Sequence, residues 1–433
     1  MLNGCYMKNN HTCKLAVLLF FLTAMAAQAQ NFPSNIDELK VQPYTLPDVL
    51  QLPNGKSVTS SKEWQQVQRP YIYHLYEEYQ FGRYPTKKVN TRFKILETDN
   101  KALDGIATRK QVRIYFHPID TSVYMDVLLY IPNAVKSPAP VFVGYNFSGN
   151  HTITTEKNVL LSNRWMYFRG KGVVNNRATE AARGTDTASW PLNTILAKGF
   201  AVATAYYGDL EPDTATGYTT GIRTTLKDVL HVQPNEWSAM GAWAWGLSRI
   251  VDYLQKDRNI DAGKIALMGH SRLGKATLWA GASDPRFALI VSNESGEGGA
   301  ALSRRWYGET VQIITARFPY WFVAKYKTYG GNVNALPVDG HMLLSLMAPR
   351  PLYVASAVED TWSDPKGEFL SAKEAGKVYT LFGKKGIETD SLPPLHTPVG
   401  GTIRYHIRAG KHAVTRYDWE QYLQFATEQL GGK

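Results

Sequence analysis

The hydrophobic residues of this chain form short, nearly continuous runs that alternate with stretches of helical periodicity. The runs predict eight strands, at 112–116, 123–131, 141–145, 200–206, 264–268, 287–292, 351–356 and 402–407. The periodic stretches predict helices over 63–79, 236–255 and 275–282, and a last helix from about Thr415, where Thr415 and Asp418 have the spacing of a capping box. Continuously apolar strands that alternate with helices indicate a mostly parallel sheet with helices on both faces, so we predict an α/β fold. Catalytic groups are then expected at the carboxyl ends of the strands.

The first thirty residues have the pattern of a secretory leader. Lys8 and Lys14 precede the apolar run 15–22, and a small-x-small exit follows at 27–29. The run falls well short of the roughly 20 apolar residues that a transmembrane anchor, the alternative, requires. We therefore predict a signal peptide over 1–29 and a secreted or periplasmic product.

The remaining chain, 30–433, is predicted to be a single catalytic domain with insertions and an N-terminal wrapping arm that extends to about residue 70. Its composition, 44% hydrophobic and 20% charged, is typical of globular proteins. Both cysteines, Cys5 and Cys13, lie in the leader, which excludes a disulfide, a thiolate nucleophile and a cysteine-rich zinc site from the mature protein. The net charge is +11, or +9 without the two leader lysines. That charge fits a preference for acidic polymers, but solubility alone explains it equally well.

A candidate nucleophile lies between a predicted strand and a predicted helix. Ser271 occupies a tight turn of the kind that raises a serine hydroxyl above the edge of a sheet. The match is imperfect, because Leu273 stands where the G-x-S-x-G pattern has glycine. Gly269 to Lys275 also has the spacing of a phosphate-binding loop, but Ala276 replaces the Ser or Thr that would hold magnesium. We therefore favour the serine hydrolase interpretation over the nucleotide-binding one.

A serine nucleophile needs a base, which in this architecture follows the serine and the acid along the chain. Four histidines lie downstream of Ser271: His341, His396, His406 and His412. His412 falls between the last strand and the last helix, where the base belongs. His406 lies inside a strand and is predicted to be a packed side chain, and His341 and His396 are expected at the surface.

Two carboxylates are candidates for the acid that orients the imidazole. Glu294 and Asp360 each come just after the carboxyl end of a predicted strand. Either side chain could stabilise the cationic form of His412, and either could instead be a cap or turn residue. The residue pattern does not separate the two.

Several segments together resemble the glucuronoyl esterases, carbohydrate esterase family 15. The segments that carry this resemblance are 269–275, 293–299, 361–365 and 408–412, and those that resemble the bacterial branch are 146–151 and 206–213. The resemblance covers nearly all of the mature chain. It implies an α/β-hydrolase fold, a three-layer α/β/α sandwich, and hydrolysis of the ester between a 4-O-methylglucuronic acid branch of xylan and a lignin alcohol. It implies no cofactor and no metal.

The resemblance also implies roles for the residues found above. Ser271 matches the nucleophile, His412 the base and Glu294 the usual acid. Asp360 matches the position that other members use instead of, or alongside, that glutamate. The cysteines that brace the serine turn in fungal members have no counterpart here, so packing must supply the rigidity.

Four further residues match positions with a role toward the substrate. Arg272 matches the arginine that helps to hold the oxyanion, and Lys275, Glu309 and Trp362 match positions that contact the glucuronate ring. Each role suits the side chain, since a cation stabilises developing negative charge and an indole covers an apolar sugar face. Without the resemblance, solvated or packing side chains would explain these residues as well. The aromatic segment 317–334 looks like an insertion near the site.

Other functions are compatible with the same residues. An acetylxylan esterase or a general carbohydrate carboxylesterase could use this scaffold, and a carbohydrate-binding protein without catalysis is a third hypothesis. The presence of a serine, an acid and a base together argues against the last. The expected partner is glucuronoxylan or a lignin–carbohydrate ester, with no nucleic acid or membrane partner, and the protein is expected to be a monomer.

Overall fold

A twisted sheet forms the centre of the molecule in the computed structural model, which describes residues 32–117, 119–167 and 170–431. Within these residues, ten strands pair in the order β1-β2-β3-β7-β4-β8-β9-β10-β12-β11, and β5 and β6 form a separate hairpin. The strands are β1 (Arg92–Ala102), β2 (Ala107–Tyr115), β3 (Tyr124–Pro132), β4 (Ala139–Asn146), β5 (Val173–Val174), β6 (Arg177–Ala178), β7 (Ala201–Tyr206), β8 (Ile260–His270), β9 (Leu289–Asn293), β10 (Leu352–Ala357), β11 (Val399–Gly400) and β12 (Ile403–Arg408).

The central part of the sheet is parallel. Strands β7, β4, β8, β9, β10 and β12 run in the same direction, whereas β1 to β3 and β11 extend the two edges with antiparallel pairing. Every residue of β7, β9 and β10 is buried, as expected for strands covered on both faces. The predicted mostly parallel sheet is therefore confirmed.

Helices cover both faces of this sheet. The α-helices of the described residues are α1 (Ser61–Glu63), α2 (Arg69–Tyr76), α3 (Leu192–Ala197), α4 (Ile222–Thr225), α5 (Lys227–Leu230), α6 (Ala239–Leu254), α7 (Arg272–Ser283), α8 (Val311–Arg317), α9 (Ala324–Lys327), α10 (Gly340–Ser345), α11 (Pro365–Thr380) and α12 (Arg416–Leu430). Wider π-helical turns at Trp64–Gln68 and Glu77–Phe81 connect with α1 and α2, so that 61–81 is helical throughout.

Two hydrophobic clusters lie on opposite sides of the sheet because side chains alternate along each strand. In β4, Val141 and Val143 belong to the cluster that contains α6, α7 and α11. Phe142, between them, belongs to the cluster of α3 and α12, where it packs edge-on against Trp419. This arrangement is the three-layer α/β/α sandwich that was predicted.

The predicted leader, 1–29, lies outside the described residues. The described chain begins with an extended segment that contacts residues far along the sequence. The Ser34 hydroxyl donates to the carbonyl of Gly308 at 2.5 Å, and the Tyr307 hydroxyl donates to the carbonyl of Ile36 at 2.9 Å. None of the helices in the part of the chain described here combines the length and the apolar character needed to cross a lipid bilayer.

Candidate active site

Ser271 occupies the sharp turn between β8 and α7. Its backbone has φ 57° and ψ −130°, and its N–H donates to the carbonyl oxygen of Asn293 on the next strand at 2.9 Å. A side chain at Gly269 would lie 2.3 Å from the carbonyl of Leu273 and from the hydroxyl of Thr277, so the turn requires glycine there. Within the described residues the Ser271 hydroxyl makes no hydrogen bond, which leaves it available to an incoming group. In sites without substrate the catalytic hydrogen bonds are often long or open.

His412 lies in the loop between β12 and α12, as predicted, and two carboxylates contact the same ring nitrogen. Its Nδ1 lies 2.6 Å from Oδ2 of Asp360 and 3.0 Å from Oε2 of Glu294. Because both carboxylates lie at Nδ1, Nε2 is left for a second partner. The ring also packs against His270, with 4.4 Å between the centroids, and His270 directly precedes Ser271. His412 and the serine turn therefore meet at the same rim of the sheet.

The surroundings shift the pKa values of His412, Glu294 and Asp360 in different directions. Burial alone would lower the pKa of His412, but its hydrogen bonds to Asp360 and Glu294 outweigh this effect and raise the pKa to about 9. Burial raises the pKa of Glu294 to about 7 in spite of the nearby His412 and Arg408. Burial also acts to raise the pKa of Asp360, yet the bond to His412 holds it below its ordinary value. Asp360 therefore ionises at a lower pH than Glu294.

Arg408, the last residue of β12, holds both Glu294 and the loop that carries His412. Its Nη2 donates to Oε1 of Glu294 at 2.5 Å, and its Nε donates to Oδ2 of Asp418 at 2.8 Å. The remaining donors reach three carbonyl oxygens within the loop 409–413. The sequence indicated this arginine only as part of a segment that resembles the family, since nothing in its spacing reveals which groups it joins.

Arg272 extends from the first turn of α7 over an aromatic surface. Its guanidinium lies 4.7 Å from the ring centre of Trp321, and Nη1 donates to Oδ2 of Asp213 at 2.5 Å. Asp213 is buried and also accepts hydrogen bonds from the side chains of Tyr207, Tyr320 and Trp321. The predicted insertion 317–334 thus contributes two of the groups that hold Asp213. The sequence indicated Asp213 only as the last residue of a segment that resembles the family, because its role depends on partners far away in the chain.

The three residues expected at the sugar ring lie next to one another. Lys275, one helical turn after Ser271, donates to the carbonyl of Ser295 at 2.5 Å and lies 3.8 Å from Oε2 of Glu309. The backbone N–H of Glu309 donates to the carbonyl of Trp362 at 2.9 Å. Burial lowers the pKa of Lys275. The Trp362 side chain is 37% exposed, and the guanidinium of Arg317 lies 5.4 Å from its ring centre.

The other histidines have mainly structural positions. His406 is buried in β12 between Tyr353 and Asp418, in accord with the prediction of a packed side chain. His396 is exposed, also as predicted. The prediction for His341 is wrong: it is only 1% exposed in α10, and its ring contacts the carbonyl of Pro47. The N-terminal segment covers a position that the glycine-bordered sequence suggested would be open.

His270, Glu294 and His412 place potential metal ligands within 4.8 Å of one another. Each of these side chains also has a hydrogen-bond partner. His270 shares a hydrogen bond with the side chain of Asn293, and Glu294 is bonded to Arg408 and to His412.

The known proteins that this chain resembles in sequence and structure are glucuronoyl or carbohydrate esterases. The family model described as "Glucuronyl esterase, fungi" matches residues 213–383. A curated carbohydrate esterase of an unknown prokaryotic organism is 43% identical and is aligned over 97% of this chain and 99% of its own length. The solved glucuronoyl esterase from Solibacter usitatus is 49% identical, with a TM-score of 0.85, over 90% of this chain and 99% of that one. A promiscuous esterase of carbohydrate esterase family 15 from the marine bacterial metagenome is 42% identical, with a TM-score of 0.86, over 92% of this chain and all of that one.

Proposed function

The chain belongs to the glucuronoyl esterases of carbohydrate esterase family 15 and is a carboxylic ester hydrolase, and from this we propose that it cleaves the ester between a 4-O-methylglucuronic acid side chain of glucuronoxylan and a lignin alcohol. One observation carries the proposal furthest. A strained serine turn and a histidine with two carboxylates on one ring nitrogen meet at the carboxyl rim of a parallel sheet. This arrangement supplies a nucleophile, a base and a counter-charge for the base.

The proposed reaction proceeds through an acyl-enzyme. Nε2 of His412 takes the proton of the Ser271 hydroxyl while Oγ attacks the ester carbonyl carbon. The tetrahedral intermediate then collapses, the bond to the alcohol oxygen breaks, and the imidazolium returns its proton to the departing alcohol. A water molecule attacks the acyl-enzyme in the same way, which releases the uronic acid and restores the serine. Asp360 and Glu294 stabilise the imidazolium that forms in each half-reaction.

Arg272 is proposed to stabilise the negative charge that develops on the carbonyl oxygen. Its guanidinium follows Ser271 directly and is held by Asp213 and by the face of Trp321. A donor that is fixed before the reaction needs no reorganisation as charge develops, and the loss of one such donor typically costs about 3 kcal/mol of transition-state stabilisation.

Lys275, Glu309 and Trp362 are proposed to bind the uronate ring. The Lys275–Glu309 pair offers a donor and an acceptor to ring hydroxyls, and exposed Trp362 offers an aromatic face. We further propose that residues 1–29 are a signal peptide, that the protein is exported and that it acts as a monomer.

The test compares two esters. We expect the purified protein to hydrolyse benzyl glucuronate with a kcat/KM well above that for p-nitrophenyl acetate, and Ser271→Ala to abolish turnover while ligand binding is retained. Ready turnover of the acetate without turnover of the glucuronate would contradict the proposal. Unchanged activity of Ser271→Ala would remove that residue from the mechanism.

A second candidate is a carbohydrate esterase of broad specificity. It is favoured by the similarity to the promiscuous family 15 esterase from the marine metagenome. Comparable kcat/KM values for glucuronate and acetyl esters, both lost in Ser271→Ala, would support it.

A further inference from the structure

A cavity of about 710 Å³ lies between the N-terminal segment and two loops that follow the β9 strand. Its lining comes from three parts of the described chain: 33–44, 304–310 and 331–334. The volume falls within the roughly 300–1,000 Å³ of cavities that hold drug-sized ligands, which is enough for a short oligosaccharide. None of the catalytic residues proposed above lines it.

One short loop connects this cavity with the proposed uronate site. Trp306 lines the cavity, and Glu309, three residues later, belongs to the uronate site. Gly308 lies between them and contacts both the N-terminal segment and the backbone of Trp362. Its N–H donates to the carbonyl of Asn35 at 2.7 Å, and a side chain there would lie 2.4 Å from the carbonyl of Trp362. Since three residues span at most about 10 Å, the two sites are neighbours.

Trp306 combines an exposed side chain with a left-handed backbone conformation. It is 38% exposed and has φ 49°, a left-handed conformation that is strained for a bulky residue. The neighbouring Tyr307, by contrast, is buried and donates to the carbonyl of Ile36. A strained backbone that keeps a large aromatic at the mouth of a cavity indicates a ligand that uses its face.

The charged lining groups are paired, which favours a neutral, polyhydroxylated ligand over an anion. Lys40, for example, lies 3.6 Å from the carboxylate of Asp37. The two buried arginines are already engaged, Arg304 with Asp339 and backbone carbonyls and Arg305 with Asp364 and Glu38. The side-chain amides of Asn332 and Asn334 are exposed, and the described part of the chain gives them no hydrogen-bond partner. Free amides beside an aromatic face are suited to sugar hydroxyls and to apolar sugar faces.

We propose that this cavity binds neutral xylose units of the xylan main chain next to the glucuronate branch, with Trp306 as the stacking residue. The proposal rests on the proposed function, because it extends the same substrate beyond the uronate site. It makes the enzyme more effective on polymer-linked esters than on small glucuronate esters.

The experiment compares wild type, Trp306→Ala and Trp306→Phe on two substrates, benzyl glucuronate and the benzyl ester of an aldotetrauronic acid. We expect Trp306→Ala to raise KM for the oligosaccharide ester about tenfold, the effect of losing roughly 1.4 kcal/mol of binding, and to leave benzyl glucuronate kinetics unchanged. Trp306→Phe retains an aromatic face and should raise KM for the oligosaccharide ester much less than Trp306→Ala does. Tyr71→Ala removes an aromatic of similar exposure, 40%, on α2 and should change neither substrate.

Xylotetraose titrated into each variant by calorimetry makes the result independent of catalysis. Weaker xylotetraose binding in Trp306→Ala alone would support the proposal. Inactivity of the wild type on glucuronate esters would overturn only the proposed function, because the binding measurement does not depend on catalysis. Unchanged KM and unchanged xylotetraose binding would overturn the proposal. Equal losses on both esters would also overturn it, because Trp306 would then serve the uronate site or the fold.

Discussion

Asp213 holds Arg272 by a 2.5 Å hydrogen bond from the guanidinium, although the two residues lie 59 positions apart in the sequence. Asp213 is 2% exposed and accepts three further hydrogen bonds, from Tyr207, Tyr320 and Trp321. The carboxylate therefore joins the loop after β7 with the segment 317–334 and fixes the cation that directly follows the nucleophile. Asp213 is in this sense a positioning residue that acts through Arg272.

Asp213→Asn is expected to lower kcat by about ten- to a hundredfold with little change in KM, because it loosens a group that acts mainly in the transition state. Steady-state kinetics on benzyl glucuronate measure the split. Asp257→Asn provides the control, since Asp257 is also a buried carboxylate bonded to a cation and a tyrosine, Lys110 and Tyr253. It should lower the melting temperature without lowering kcat. A similar fall of kcat in both variants would show that Asp213 serves the fold alone.

The two carboxylates on His412 are expected to contribute unequally. The family resemblance favours Glu294 as the acid, but the bond from Asp360 is shorter, and the pKa of Asp360 is lowered whereas that of Glu294 is raised to about 7. We expect Asp360→Asn to lower kcat/KM more than Glu294→Gln. The double variant should lose about 10⁴-fold, the size of effect seen when a catalytic histidine loses its only carboxylate. A larger loss in Glu294→Gln would return the main role to the glutamate.

The pH profile should report the raised pKa of His412. The ring acts as a base only when it is neutral, so kcat/KM should rise with pH, reach half of its plateau near the pKa of about 9 and level off above it. Removing a negative charge beside the ring destabilises the imidazolium and lowers its pKa. The rising limb should therefore move to lower pH in Asp360→Asn and in Glu294→Gln. A limb that stays in place in both variants would mean that another group controls it.

Much of the fold follows from the apolar pattern, because a strand covered on both faces must be almost continuously hydrophobic. All eight predicted strands are present, and the capping box of Thr415 and Asp418 begins α12. Strand β1 was missed because most of its side chains are polar and solvent-accessible, so no apolar run marks it. Helices α8 and α10 were missed because they are only seven and six residues long, and the sixteen-residue α11 was missed because it buries mostly small or polar residues.

The site was partly predictable for a related reason. Ser271 and His412 follow from local rules, a strand–turn–helix and a loop after the last strand. Asp213 and Arg408 act through contacts that unite distant segments, and no spacing along the chain reveals such contacts. The same holds for His341, which the N-terminal segment buries.

Arg408 is expected to be essential for stability as well as for the position of the base. It is 2% exposed and lies between two buried carboxylates, Glu294 and Asp418. Arg408→Met would remove the guanidinium from which both carboxylates accept, and breaking a buried pair of this kind typically costs about 3–5 kcal/mol. Arg416→Ala breaks the pair with Glu420 on the surface of α12, where the Arg416 side chain is 83% exposed, and should cost at most about 1 kcal/mol. Urea unfolding of both variants measures the difference. If Arg408→Met were no less stable than Arg416→Ala, the two carboxylates would have to be neutral or solvated in the folded protein, and the ion-pair network around the base would have to be abandoned.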